Sequence, residues 1–194
     1  MPRASLLLLI PALAFCQDAL PERGRGLSEL HATRKQFLDS IAGLSAAQWS
    51  FKPDAASWSI AECAEHLAVS EDVIFEIVTK KLPAGATAPP EKKLADDVVL
   101  KMTVDRSMRR KSPEAMAPSR RWASPEASVA HFRESRDRSL DYLRTTADPL
   151  RKHFAPHPAF GPLDGYQWLL VMSAHVARHV AQIEEIKANP RFPK

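Results

Sequence analysis

Three histidines are the residues of this chain whose type and spacing indicate chemistry. His175 and His179 lie four residues apart, and His66 lies far earlier in the chain. Four residues of α-helix turn the chain by about 400° and advance it by about 6 Å, which stacks both rings on one face. Neutral imidazole binds zinc, nickel, copper and iron, and three protein ligands with a vacant position are typical of a catalytic metal site. The sequence therefore predicts an open metal site formed by His66, His175 and His179.

Both histidine segments have the apolar periodicity of a buried helix face. The first stripe consists of Cys63, His66, Val69, Val73 and Ile77, and the second of Trp168, Met172, His175, His179, Gln182 and Ile186. Because both stripes recur at helical spacing, the imidazoles should point inward. A single inward histidine more often makes core hydrogen bonds, so it is the presence of three that favours a metal site.

Other polar residues near these stripes have two interpretations. Gln182 and either Glu65 or Glu71 could support the metal or handle protons. An ordinary solvent-facing role is the simpler expectation for each of them. Cys63 could be a fourth ligand or a reactive thiol, but a single buried cysteine usually behaves as a small apolar residue. We therefore predict a core role for Cys63 and name no catalytic residue.

The remaining histidines and the basic residues are not predicted as site residues. His131 falls among charged residues on a face that should be hydrated. His153 and His157 lie in a proline-rich link, where either could overhang a pocket, although isolated loop histidines usually contact solvent. Basic residues are concentrated between Lys101 and Arg121. They could gather an anionic substrate at the mouth of the site, but a charged connection is usually only solvated.

Four segments have the spacing of long helices, and no segment reads convincingly as a strand. After a flexible stretch over residues 21–26, a first helix ends near Gly43. Ser57 or Ser59 caps the second helix, Ser124 the third and Asp164 the fourth. Residues 83–124 form a long connection with one minor helix. The sequence therefore predicts an all-α fold, an antiparallel four-helix bundle with a long crossover between the second and third helices.

Length and charge limit the class of protein. A chain of 194 residues that is 45% hydrophobic can bury a core, and we expect one domain, over residues 27–188. The formal net charge is +4, or +3 without residues 1–14, and the excess is concentrated in the crossover. A net charge this small and this localised does not indicate a nucleic-acid-binding protein. We therefore expect the partner to be a small-molecule substrate.

The amino-terminal residues predict export. Arg3 precedes a short apolar run, and small residues up to Ala14 suit a signal peptidase. We expect removal of residues 1–14, with cleavage as late as Cys16 as the alternative. Lipidation of Cys16 is disfavoured because Phe15 precedes it. The run is too short to cross a bilayer, so the mature chain is expected in the periplasm or medium, with no integral membrane span.

Two stretches resemble a known family. Residues 58–67 (WSIAECAEHL) and 175–183 (HVARHVAQI) are similar to the two signature stretches of the DinB-like family. The order of the helices and the place of the crossover are similar as well, and the resemblance covers roughly residues 27–188. It implies a four-helix bundle that holds a divalent metal, usually nickel or zinc, through His66, His175 and His179.

The resemblance also implies classes of activity. Related proteins include bacillithiol and mycothiol S-transferases and a thiol-dependent maleylpyruvate isomerase, so a metal-dependent hydrolase or thiol S-transferase is expected. Export would separate this chain from cytosolic thiols, which favours water as the nucleophile. Homodimers are common in the family. The alternatives are a non-catalytic ligand-binding bundle and a purely structural bundle.

Overall fold

The described part of the chain is mostly helical. The structure is a computed structural model that describes residues 19–87, 91, 93–107 and 111–194. The predicted signal segment and Cys16 lie outside these residues, as do Arg109 and Arg110 of the basic crossover. Export and the position of cleavage therefore stay predictions.

Four long helices and two short ones account for most of the described residues. The α-helices are α1 (Ala19–Ser40), α2 (Ala46–Ser50), α3 (Ile60–Glu76), α4 (Asp96–Val104), α5 (Pro125–Thr145) and α6 (Gly165–Lys187). A π-helical turn (Ile77–Lys81) and a 3-10 turn (Leu82–Ala84) extend α3, and a second 3-10 turn (Glu114–Met116) lies in the crossover. The long helices α1, α3, α5 and α6 pack side by side, and α4 lies against α6.

Neighbouring helices run in both relative directions. The Tyr166 hydroxyl donates to the Glu22 carbonyl at 2.7 Å, and Thr33 Oγ1 lies 3.2 Å from Ser173 Oγ, so α1 and α6 are parallel. In the same way, His131 contacts Asp72 and Tyr142 packs on Phe75, so α3 and α5 are parallel.

The other neighbouring pairs are antiparallel, as the sequence predicted. Arg23 donates to the Thr146 carbonyl and Arg34 contacts Asp137, which orients α1 against α5. The His66 pairing with His175 orients α3 against α6, since Trp58 stacks near His179. A uniformly antiparallel bundle is therefore wrong for two of the four pairs. The reason is the long crossover, which brings the chain back so that α5 begins at the same end as α3.

The first helix includes the stretch that was predicted to be flexible. Residues 21–26 lie within α1, with Pro21 in its first turn, where proline needs no backbone donor. A Cβ atom built on Gly26 would lie 2.9 Å from Leu143 Cδ2 and 3.0 Å from Tyr166 Cε2. Glycine therefore lets α1 approach α5 and α6 closely, and here it serves packing rather than flexibility.

The caps predicted for the other three long helices are confirmed. The Ser59 and Asp164 side chains accept from the backbone N–H groups of Glu62 and Gln167, and in both cases the partner side chain returns the bond as a capping box. Ser124 accepts from the Ala127 N–H in the same position of α5. These caps fix where α3, α5 and α6 begin, and therefore the register of the histidines on α3 and α6.

A small hairpin corrects the prediction that the chain has no strand. β1 (Phe154–His157) pairs antiparallel with β2 (Gly161–Asp164), and Gly161 adopts a φ of +73° at the turn. The strands have four residues each and contain Pro156 and Pro162. Strands this short and rich in proline show no alternating pattern of apolar and polar residues, so they could not be predicted from the sequence.

The core has two apolar clusters at opposite ends of the long helices. One includes Leu30, Leu143 and Met172, and the other includes Phe37, Leu67 and Ile183. Among the described residues, no helix combines the length and apolar character needed to cross a membrane.

Candidate metal centre

The three predicted histidines meet between α3 and α6. His175 Nε2 lies 3.1 Å from His66 Nε2 and 3.1 Å from His179 Nε2. The ring centroids are separated by 4.9 Å for His66 and His175, 4.7 Å for His66 and His179, and 4.6 Å for His175 and His179. The Nε2 atoms of three histidines, carried by two helices, therefore converge on one point.

The tautomers of two rings follow from their outer partners. His66 Nδ1 lies 2.8 Å from the Met116 carbonyl oxygen, which only accepts, so His66 donates from Nδ1. His179 Nδ1 lies 2.9 Å from Gln182 Oε1, so it donates to that amide oxygen. In the neutral rings both Nε2 atoms then carry lone pairs that point into the cluster. Outer acceptors of this kind orient metal-binding histidines.

Burial favours the neutral form of the three imidazoles. It lowers the pKa of His66, although the Met116 carbonyl acts in the opposite direction. Burial also lowers the pKa of His175 and His179 well below the ordinary histidine value, and the neighbouring imidazoles act in the same direction. Neutral imidazole is the form that binds a metal.

The donor set fits a divalent transition metal. Tetrahedral coordination at about 2.0–2.1 Å places ligand nitrogens about 3.3 Å apart, close to the two Nε2 separations of 3.1 Å. Imidazole ligands of this kind suit zinc and nickel, whereas calcium and magnesium need oxygen ligands. Three histidines also leave a coordination position for a substrate or water.

The cluster lies in the wall of a cavity of about 950 Å³. One face of α6 lines this cavity along the whole helix, through Trp168, Val171, His175, Arg178, His179, Gln182, Glu185 and Ile186. A second wall comes from α3 and the residues on either side of it, through Trp58, His66, Ser70, Ile74 and Ile77. The volume is in the range of small-molecule sites, and the cavity gives a substrate access to all three histidines.

Gln182 contacts a histidine of the cluster. This agrees with the first of its two predicted roles, support of the metal site, rather than with a solvent-facing role. Its Oε1 atom accepts from His179 and lies 3.5 Å from Arg106 Nη1. Arg106 in turn donates to both carboxylate oxygens of Glu185, at 2.7 and 2.5 Å. The basic crossover therefore contributes Arg106 to the cavity, but its charge is paired with Glu185.

Glu65 is not solvent-facing. Its buried carboxylate accepts three backbone N–H groups of the crossover, from Ser119 at 2.8 Å, Arg120 at 3.1 Å and Arg121 at 3.0 Å. Arg120 has a φ of 60°, and successive N–H groups in such a turn form a concave anion site. Glu65 thus fastens to α3 the segment that carries the Met116 carbonyl, the partner of His66.

We expect Glu65→Ala to lower the free energy of unfolding by about 1–3 kcal/mol, because three backbone donors lose their acceptor. Urea unfolding followed by circular dichroism measures the change. Glu76→Ala is the matched control, since Glu76 is an exposed glutamate on the same helix and should be close to neutral. Equal effects of the two substitutions would contradict the anchoring role of Glu65.

Glu71 and Cys63 have roles in the core. Glu71 is buried and pairs with Arg136 on α5, so the solvent-facing expectation is wrong for this residue as well. Cys63 packs among Leu67 and Ala64, and burial raises the pKa of its thiol to about 12. A neutral, fully buried thiol is not a nucleophile, which agrees with the predicted core role.

The three histidines that were not predicted as site residues have specific surroundings. His131 is half-buried, contacts Asp72 at 2.6 Å and stacks near Trp122, so its face of α5 is less hydrated than predicted. His157 lines the cavity, whereas His153 lies beside the Gly85 carbonyl. The signal that could have identified His157 is its place between two prolines just before the metal-site helix.

Three findings relate the chain to known proteins. The family described as the DinB superfamily matches residues 29–183. The uncharacterized protein YuaE of Bacillus subtilis (strain 168) is 26% identical over 161 residues, which are 83% of this chain and 96% of YuaE. The structure of YfiT from Bacillus subtilis superposes with a TM-score of 0.55 at 16% identity, covering 92% of this chain and 91% of YfiT.

YfiT is described as a probable metal-dependent hydrolase with an unusual four-helix bundle topology. At this level of identity the superposition establishes the shared fold alone. The family match covers most of the sequence and includes all three histidines of the cluster. The chain belongs to the DinB superfamily.

Proposed function

We propose that this chain is a metal-dependent hydrolase that binds one divalent cation, zinc or nickel, through the Nε2 atoms of His66, His175 and His179. The observation that carries the proposal is the convergence of these atoms in the wall of a cavity of about 950 Å³. The likeness to YfiT, described as a probable metal-dependent hydrolase, supports the same class.

The bound cation would supply Lewis-acid chemistry, polarising a substrate oxygen and lowering the pKa of the water that attacks it. The residues of the chain then have distinct tasks. Met116 and Gln182 hold the rings of His66 and His179 in the tautomers that present Nε2. The Trp58 ring lies 4.9 Å from the His66 ring and 6.1 Å from the His179 ring, so it packs beside both.

We favour hydrolysis over thiol transfer for two reasons. The first is the description of YfiT. The second is the predicted export signal, which we propose directs the chain away from cytosolic thiols. A ligand-binding bundle without turnover is the alternative, and it would use the same cavity.

The test is metal-dependent turnover. Protein stripped with a chelator is reloaded with zinc, nickel or manganese and assayed against panels of carboxylic esters, amides, lactones and phosphoesters. We expect turnover of at least one class only after reloading, and its loss in His179→Ala. His31→Ala is the control, because His31 is an exposed histidine on α1. Turnover that survives stripping would contradict the proposal, and metal binding without turnover in any panel would favour the ligand-binding alternative.

A further inference from the structure

The side chains that line the cavity change from apolar to polar along α6. At one end the lining includes the apolar and aromatic side chains of Ile74, Ile77, Phe160, Trp168 and Val171. At the other end Gln182, Glu185 and Arg106 form a hydrogen-bonded polar group. The three histidines lie between these ends. This arrangement suits a substrate that is apolar on one side of its reacting bond and polar on the other.

The apolar end is built from stacked rings. The hairpin turn places the Phe160 ring face to face with His157, with centroids 4.2 Å apart and planes 7° apart. The His157 ring then lies 5.1 Å from Trp168 on α6. His157 Nδ1 accepts the Ala159 N–H at 3.1 Å, which fixes the orientation of this ring. We call Phe160, His157 and Trp168 the aromatic wall.

Trp168 of the wall shares one face of α6 with His175 and His179, at a defined separation. Trp168 precedes His175 by seven residues, which is two turns and about 10 Å along α6. Val171 lies about one turn after Trp168 on the same face and lines the cavity, as does Ile74 of α3. A ligand that binds at the cluster and reaches the wall would therefore carry a spacer that passes Val171.

From this arrangement we propose that the substrate is an arylalkyl carboxylic ester or amide, with its ring against the aromatic wall and its carbonyl group at the three Nε2 atoms. The inference rests on the proposed function and names its substrate class. Offset and edge-on contacts with aromatic rings favour an aryl group over an alkyl chain of similar size. The leaving group then faces Gln182 and Arg106. Hydrolysis breaks the bond from the acyl carbon to the leaving group, forms a bond from that carbon to water oxygen, and gives one water proton to the leaving group.

The test uses three hydroxamic acids that carry the same metal-binding group. Acetohydroxamic acid has no chain, hexanohydroxamic acid has an alkyl chain, and 4-phenylbutanohydroxamic acid has an aryl end on a spacer. Their dissociation constants for the zinc-loaded protein are measured by calorimetry. We expect the phenyl compound to bind roughly tenfold tighter than acetohydroxamic acid, in proportion to the ring buried, and tighter than the alkyl compound.

Substitutions at Phe160 test whether the aromatic wall causes the tighter binding of the phenyl compound. Phe160→Ala should remove most of the phenyl advantage and leave acetohydroxamic acid unchanged, and Phe160→Leu does the same without opening a gap. Phe192→Ala is the matched control, because Phe192 is also partly buried but packs on Phe51 outside the cavity lining. Equal binding of the three compounds, or a preference that survives both Phe160 variants, would overturn the substrate class alone. Failure of acetohydroxamic acid to bind would overturn the proposed function, and the substrate class with it.

Discussion

Replacing His175 and His179 together with alanine is expected to weaken zinc or nickel binding by at least about 100-fold. Loss of a single outer hydrogen-bond partner commonly costs 10–100-fold in metal affinity, and here two of the three direct ligands are removed. His175 matters most, because its Nε2 lies 3.1 Å from the Nε2 atoms of both other rings. Competition against a chromophoric chelator, starting from metal-free protein, measures the change.

The double variant should remain folded, since both side chains lie in the wall of a cavity, where their truncation overpacks nothing. Circular dichroism and thermal unfolding check this. His31→Ala should retain the affinity of the wild type, because it removes an imidazole that lies outside the cluster. Wild-type affinity in the folded double variant would show that the metal is held elsewhere and would contradict the assignment.

Glu71→Ala is expected to lower the free energy of unfolding by about 3–5 kcal/mol, because it leaves a buried guanidinium without its counter-ion. Arg136 is 0% exposed and Glu71 is 2% exposed. Arg136 donates to both carboxylate oxygens at 2.8 and 2.6 Å and to the Leu30 carbonyl at 2.8 Å. Burial raises the pKa of Glu71, and the guanidinium acts in the opposite direction. The same arginine lies 3.2 Å from Thr33, which contacts Ser173, so the network joins all four long helices.

Two controls separate the buried charge from loss of contacts. The double variant Glu71→Leu with Arg136→Met should recover most of the lost stability, since apolar residues of similar volume replace a buried ion pair at little cost. Asp137→Ala removes the partner of Arg34 on the surface and should cost less than about 1 kcal/mol. Chemical unfolding of the three variants measures the differences. An effect of Glu71→Ala no larger than that of Asp137→Ala would contradict the role of the network.

The helices and the histidine cluster could be predicted because their signals are local. The Ser59, Ser124 and Asp164 caps mark helix starts. Once the segment is known to be a helix, the four-residue spacing places His175 and His179 on the same face. To predict that His66 lies near this pair, it was enough to assume in addition that the apolar stripes of the two helices pack against each other.

What could not be predicted depends on contacts between distant segments. Glu65 meets residues 119–121, and Glu71 meets Arg136, yet neither glutamate stands out from solvent-facing neighbours in the sequence. Gly26 suggests a flexible segment when only the sequence is considered. Its packing role depends on Leu143 and Tyr166, which come from distant helices. His157 reaches the cavity only through a hairpin of two four-residue strands, too short to show a period. The parallel packing of α3 and α5 likewise depends on the path of the long crossover.

The most direct test of the metal centre is anomalous diffraction from a crystal of the zinc-loaded wild-type protein, with data collected on both sides of the zinc absorption edge. We predict one strong peak about 2.0–2.1 Å from the Nε2 atoms of His66, His175 and His179, with Met116 and Gln182 still bonded to the outer nitrogens. A peak held by other residues, or no peak in a stoichiometrically loaded crystal, would contradict the three-histidine centre.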